Sequence, residues 1–374
     1  MEISNRKLEN PPPAKVFSGK TSKPKEKVKT PAAPGDRVEL HSSRISRGKS
    51  GQIAASRAHP WEKRGMDPLK ITRLDEAHQA YGLTGKGVMV AVIDSGFDPA
   101  QGTPEVWQDF GGESSAPFDR SKHGTDVAGF LKQAAPASGL AALKVDKLYD
   151  VKQPDGSTRR EERISDSAII KAVQWSIENS ERYNIKVINL SLGHPRELMD
   201  YGQIKPDRFN SPAYQLPVSH LDQALTSAVK AGITVIGIAG NNGPAPFTLE
   251  DPGDLPQVLT VGAAKDEKRV SGLSARGYTF KGEQKPDLLA PGENLWGQGS
   301  KELIKGTSFA APIVAGIVAL LYEARPEITP REVKEILTNT ARKLDKKFGP
   351  EAQGAGMVDA KAALDRLMQK QTGA

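Results

Sequence analysis

Residues 88–96 read VMVAVIDSG. The first six are apolar and rich in β-branched side chains. A run of that length without polar alternation suits a parallel strand covered on both faces. An acid, a serine and a glycine follow at once. Asp94 therefore leaves the strand at the carboxyl edge of a sheet, where open α/β sheets assemble their sites.

The same texture recurs on either side, at GLAALKV (139–145), KVINLSL (186–192), ITVIGIA (233–239) and QVLTVGAA (257–264). Helical stretches lie between these runs. Ser165 is placed to cap a helix reaching Ser180, and Leu221–Lys230 repeats apolar positions at helical spacing. Thr329, Pro330 and Glu332 combine a capping hydroxyl, a first-turn proline and a reciprocal acid, which together start another helix. Alternating strands and helices without an internal repeat predict an α/β fold, a doubly wound three-layer parallel sheet, over residues 66–370. Leu-Ala-Pro-Gly at 289–292 reads only as a chain reversal.

Composition removes several function classes. Cysteine is absent, so disulfides, thiolate nucleophiles and cysteine metal sites are excluded. The apolar run Phe309–Tyr322, broken by Pro312 and Gly316, is expected to be a buried core helix and not a membrane span. The opening MEISNRKLEN lacks the apolar stretch of a secretory signal, and a cytoplasmic location is expected over unconventional export. Residues 1–65 hold 15 Lys/Arg against 6 Asp/Glu, while the whole chain carries a net charge of +7. The positive charge thus belongs to a Pro/Lys/Ser-rich segment expected to be a flexible tail. No specific nucleic-acid partner is expected from it, and the protein is expected to be a monomer.

Two further motifs carry chemistry. HGTDVAG (123–129) puts an imidazole at the first turn of a helix entering the core, and GTSFAAP (306–312) puts a hydroxyl at the start of the long apolar helix. Backbone N–H groups at a helix start favour developing negative charge. A serine hydroxyl needs a base to take its proton, and the base needs an acid to orient it. Asp94, His123 and Ser308 could fill those roles. Taken singly each is ordinary: an acid after a strand is commonly a turn residue, and Asn-Asn-Gly is commonly a turn.

Together the motifs resemble those of the subtilase family, over roughly residues 66–367, in the same chain order Asp, His, Ser. The resemblance implies a serine endopeptidase of subtilisin-like fold that cleaves polypeptides through an acyl-enzyme. It implies that Asp94 orients the imidazole, that His123 is general base and then acid, and that Ser308 attacks the scissile carbonyl. IAGNNG (238–243) is similar to the family's oxyanion segment and assigns Asn241 as the amide donor, with Asn242 second. Ser191, Leu192 and Gly193, with Ala239 and Gly240, resemble the substrate-binding walls, where an extended peptide adds itself as a strand. Their small, apolar letters suggest an uncharged side chain at P1, the residue preceding the scissile bond.

Three departures stand out. Asp126 replaces the histidine usual in HGTHVAG, one helical turn from His123, and is expected to lift the imidazole pKa. The stretch His194–Val218 is long and is read as a loop at the cleft rim. Residues 1–65 lack the periodicity of a folded inhibitory propeptide. The chemistry requires no cofactor. Structural calcium is common in the family, but no acidic spacing here assigns it. The competing class is a catalytically silent subtilase-fold protein that only binds peptides.

Overall fold

The computed structural model describes residues 65–153, 155–195, 219–279 and 282–372. The basic segment, except Gly65, and nearly all of His194–Val218 lie outside the described residues.

Seven strands form one sheet: β1 (Met89–Asp94), β2 (Val106–Asp109), β3 (Gly139–Lys144), β4 (Ile185–Leu190), β5 (Thr234–Ile238), β6 (Leu259–Ala264) and β7 (Leu288–Pro291). Their spatial order is β7-β6-β5-β4-β1-β3-β2, and all six neighbouring pairs are parallel. The chain builds outward from β1 to β2 and β3 on one side. It then crosses to β4 on the other, which makes the carboxyl ends of β1 and β4 the switch point of the sheet.

The alternation of strand side chains divides the core in two. Val90 and Val92 of β1 face one apolar cluster, whereas Met89, Ala91 and Ile93 face the other. The first is covered by α1 (Leu74–Tyr81), α2 (His123–Ala134), α5 (Thr307–Ala324), α6 (Pro330–Thr340) and α7 (Ala360–Thr372). The second is covered by α3 (Asp166–Glu178) and α4 (His220–Lys230). Three layers result, and each fully buried Val, Leu or Ile contributes roughly 1.5–3 kcal/mol.

The five apolar runs in the sequence are the five interior strands. The two strands absent from that reading, β2 and β7, are the edges of the sheet. An edge need not be uniformly apolar, and β2 carries exposed Gln108. β7 is LLAP, and its proline is the last residue of a strand that the seven-stranded sheet flanks on one side only. The same letters that suggested a reversal therefore pair with β6.

Helix starts follow the capping signals. Ser165 Oγ accepts from the Ala168 N–H at 3.3 Å, and Thr329 with Glu332 forms a reciprocal capping box before α6. Ser219 and Asp222 form another before α4. Helix α5 runs through the protein interior with 89% of its length buried. Among the described residues it is the one helix long and apolar enough to cross a bilayer, and here its partners are other parts of the chain.

Helices α2 and α5 pack through a close contact at Gly316. A Cβ there would lie 2.4 Å from the Cβ of Ala134 and 3.2 Å from its carbonyl carbon. The absence of a side chain thus sets the spacing of the two helices that begin at His123 and Thr307. Replacing Gly316→Val should force them apart and destabilise the protein by about 1–3 kcal/mol, the usual cost of overpacking, measurable by urea denaturation.

Candidate active site

Asp94 is the last residue of β1 and His123 the first of α2, and both are buried. Their side chains meet: His123 Nδ1 lies 2.8 Å from Asp94 Oδ1. The Ser95 N–H donates to the same oxygen at 2.7 Å. An imidazole that gives its Nδ1–H to a carboxylate keeps its lone pair on Nε2, the atom able to take a proton.

A further carboxylate, which the sequence reading missed, braces this pair. Buried Asp119 accepts on Oδ1 from Ser95 Oγ at 2.9 Å, Ser121 Oγ at 3.3 Å and the Lys122 N–H at 3.0 Å. Its Oδ2 accepts from the Thr125 N–H at 2.8 Å and Thr125 Oγ1 at 2.6 Å. Ser95 Oγ in turn accepts from the Gly124 N–H at 2.9 Å. Asp119 therefore ties the turn after Asp94 to the first turn of α2, which has no side-chain cap of its own at Lys122. The available signal was an acid four residues before His123, just ahead of a helix start.

The His123 pKa is the outcome of opposed forces. Burial lowers it, but the charge and hydrogen bond of Asp94 raise it, Asp119 and then Asp126 add to the rise, and the net shift is upward from 6.5. Asp126 thus acts in the expected direction, with less effect than Asp94 or Asp119. Its carboxylate is engaged elsewhere, accepting from the Gly299 N–H at 2.6 Å and the Ser300 N–H at 3.2 Å. Burial also pushes its own pKa up, against those hydrogen bonds. Asp126 mainly holds the 299–300 turn against α2.

Ser308 is the second residue of α5 and is buried. Its backbone N–H belongs to the first helical turn, where donors have no intrahelical acceptor. The neighbouring Phe309 ring lies 5.4 Å from the His123 ring, centroid to centroid. Among the described residues no hydrogen bond joins the Ser308 hydroxyl to the imidazole.

Pro312 stands four residues after Ser308 and has no N–H to return to the Ser308 carbonyl. That carbonyl accepts from Ser191 Oγ at 2.7 Å, which locks the end of β4 to the start of α5. Beyond Ser191, the main chains of Leu192 and Gly193 make no main-chain hydrogen bond among the described residues, an open edge of the kind that peptides extend. Ala239 and Gly240 differ. The Ala239 N–H donates to Val261, its carbonyl accepts from Glu250, and the Gly240 carbonyl accepts from Ala275, each at 2.9 Å. These two residues form a wall whose carbonyls are already engaged.

Asn241 Oδ1 accepts from the Thr307 N–H at 2.9 Å and Thr307 Oγ1 at 3.1 Å, beside Ser308. With its oxygen so engaged, the amide presents its NH₂ as the donor end. Asn242 is turned away, its Nδ2 donating to Glu250 Oε1 at 2.7 Å. Among the described residues no group of three or more His, Asp or Glu is placed to hold a metal ion.

Removing the Asp119 charge should lower the imidazole pKa. In Asp119→Asn, the His123 ring is expected to titrate at lower pH than in the parent by NMR. Asp119→Ala should also cost about 1–3 kcal/mol of stability, because it strands buried donors.

Comparisons with known proteins agree with this architecture. A family model described as "Subtilase family" matches residues 85–356. Serine protease AprX of Bacillus subtilis (strain 168) is 33% identical over 323 residues, covering 75% of this chain and 67% of the relative. Subtilisin of Bacillus pumilus is 31% identical over 311 residues, 80% of this chain and 97% of the relative. The crystal structure of a lanthipeptide protease superposes with a TM-score of 0.56 at 22% identity, covering 81% of this chain and 96% of the other, which speaks for the fold. With the match spanning the sheet and every motif quoted above, the chain belongs to the subtilase family and is a serine-type endopeptidase.

Proposed function

We propose that Asp94, His123 and Ser308 act as one triad that hydrolyses peptide bonds of polypeptides through an acyl-enzyme. The observation that carries the reading is the 2.8 Å contact of Asp94 with His123, beside the helix start that bears Ser308. Asp94 holds the tautomer with Nε2 unprotonated. Nε2 takes the Ser308 proton as the hydroxyl oxygen attacks the scissile carbonyl, then gives it to the leaving amine. Water repeats the sequence in reverse on the ester and frees the second product. Hydrogen bonds of this kind are commonly long before substrate arrives and tighten in the complex.

The negative charge that develops on the carbonyl oxygen falls to two donors, the Ser308 backbone N–H and Asn241 Nδ2. The Thr307 bonds to Asn241 Oδ1 support this choice over Asn242. Substrate backbone binds along Ser191, Leu192 and Gly193, with Ala239 and Gly240 as the facing wall. These side and main chains supply the chemistry without a cofactor.

Three measurements bear on the proposal. Ser308→Ala should lose both casein hydrolysis and labelling by a fluorophosphonate. A parent protein that binds peptide yet neither cleaves nor labels would indicate a silent binding protein instead. Asn241→Ala should raise the barrier by about 3 kcal/mol, the usual effect of losing one oxyanion donor, read as a fall in kcat with little change in KM. Because His123 must be neutral to act as base and its pKa is shifted upward, kcat/KM should fall as pH drops through a value above 6.5. A rate that stayed flat well below that pH would exclude a histidine base.

A further inference from the structure

We infer that Asn189 is a positioning residue, which acts through Ser191 to hold the peptide that follows the nucleophile. The inference rests on the peptidase reading above and adds a residue to its machinery.

Asn189 is the penultimate residue of β4 and is fully buried. Alternation puts it on the face of Val187, toward the apolar cluster that contains α5. Across the sheet it stands in register with Val92 of β1 and Ile236 of β5, and beyond these lie Ala142 and Leu259. All four belong to that cluster. An amide is therefore set in a row that is otherwise aliphatic. Its Nδ2 donates to Ser191 Oγ at 2.9 Å, while its Oδ1 meets no donor among the described residues. A buried amide with one end unanswered weakens a core, so packing gives no reason for it.

The reason lies in the direction of the bonds. A hydroxyl has one proton and turns to suit its surroundings. Ser191 Oγ donates that proton to the Ser308 carbonyl at 2.7 Å. It can then only accept from Asn189, which requires the NH₂ end of the amide to face it. The Nδ2–H occupies a lone pair of Oγ and leaves the proton directed at the carbonyl. Asn189, Ser191 and Ser308 thus form a one-way chain of donors, all three buried. The carbonyl at its end belongs to the peptide on the C-terminal side of Ser308, and the oxyanion-binding N–H to the peptide on the N-terminal side. Fixing one of these two planes limits rotation at the Cα between them, which carries the nucleophile. A displacement of about 1 Å in such a placement can cost about a hundredfold in rate.

The test is a double-mutant cycle of Asn189→Leu and Ser191→Ala, with kcat and KM measured on one quenched-fluorescence peptide and kcat counted per site that a fluorophosphonate labels. Asn189→Leu keeps the branching of the side chain and removes its donor. It should lower kcat about tenfold with KM changed less than about twofold. In the Ser191→Ala background the same substitution should change kcat by less than about twofold, because the hydroxyl it directs is gone. Loss of packing alone would carry the fall into both backgrounds. Asn189→Ala, which adds no bulk, gives the same readings if leucine prevents folding. A kcat equal to the parent's in a folded Asn189 variant, or an equal fall with and without the Ser191 hydroxyl, would overturn the inference while leaving the peptidase reading intact. A parent that neither labels nor cleaves the peptide would overturn both.

Discussion

The hydrogen bond from Ser191 Oγ to the Ser308 carbonyl organises this crevice. It exists because Pro312 cannot supply the N–H that an α-helix would return to that carbonyl. A buried carbonyl left unpaired would cost about 1–3 kcal/mol, so the helix start is stable only where another element provides a donor. Ser191 provides it from the end of a central strand. One missing N–H thereby couples the segment bearing the reactive hydroxyl to the segment with the open peptide edge.

The rest of the arrangement follows from parallel topology. In a sheet whose strands all run one way, the turns after β1, β4 and β5 emerge at the same edge, and these carry Asp94, Ser191–Gly193 and Ala239–Asn241. Helices α2 and α5 bring their N-termini there with His123 and Ser308. Their separation is set deep in the core, at the contact of Gly316 with Ala134. Packing distant from the reacting groups is thus part of their geometry.

Electrostatics add a second layer. Desolvation alone would make the buried imidazole harder to protonate, yet carboxylates at 94, 119 and 126 reverse that tendency. Asp119 serves structure and charge together, because the carboxylate that braces the two turns also raises the His123 pKa through its charge. Asp126 shows how one position can be shared, with a modest influence on His123 beside a firm hold on the turn at Gly299 and Ser300.

The letters alone determined the interior strands, the capped helices and the three motifs. Strands covered on both faces must be apolar throughout, caps require particular side chains, and the chemistry requires an acid, an imidazole and a hydroxyl. Edge strand β2 escaped that reading because partial exposure relaxes the demand for apolar residues, and β7, apolar and buried, escaped it because its Pro-Gly end reads locally as a turn. Only the tertiary structure placed Asp119 between two turns, matched Ser191 to the Ser308 carbonyl and set Glu250 between Gly193 and Gly240. Those relations join residues far apart in the chain through space, and no local pattern of propensity or periodicity records which distant side chain will arrive at a given gap.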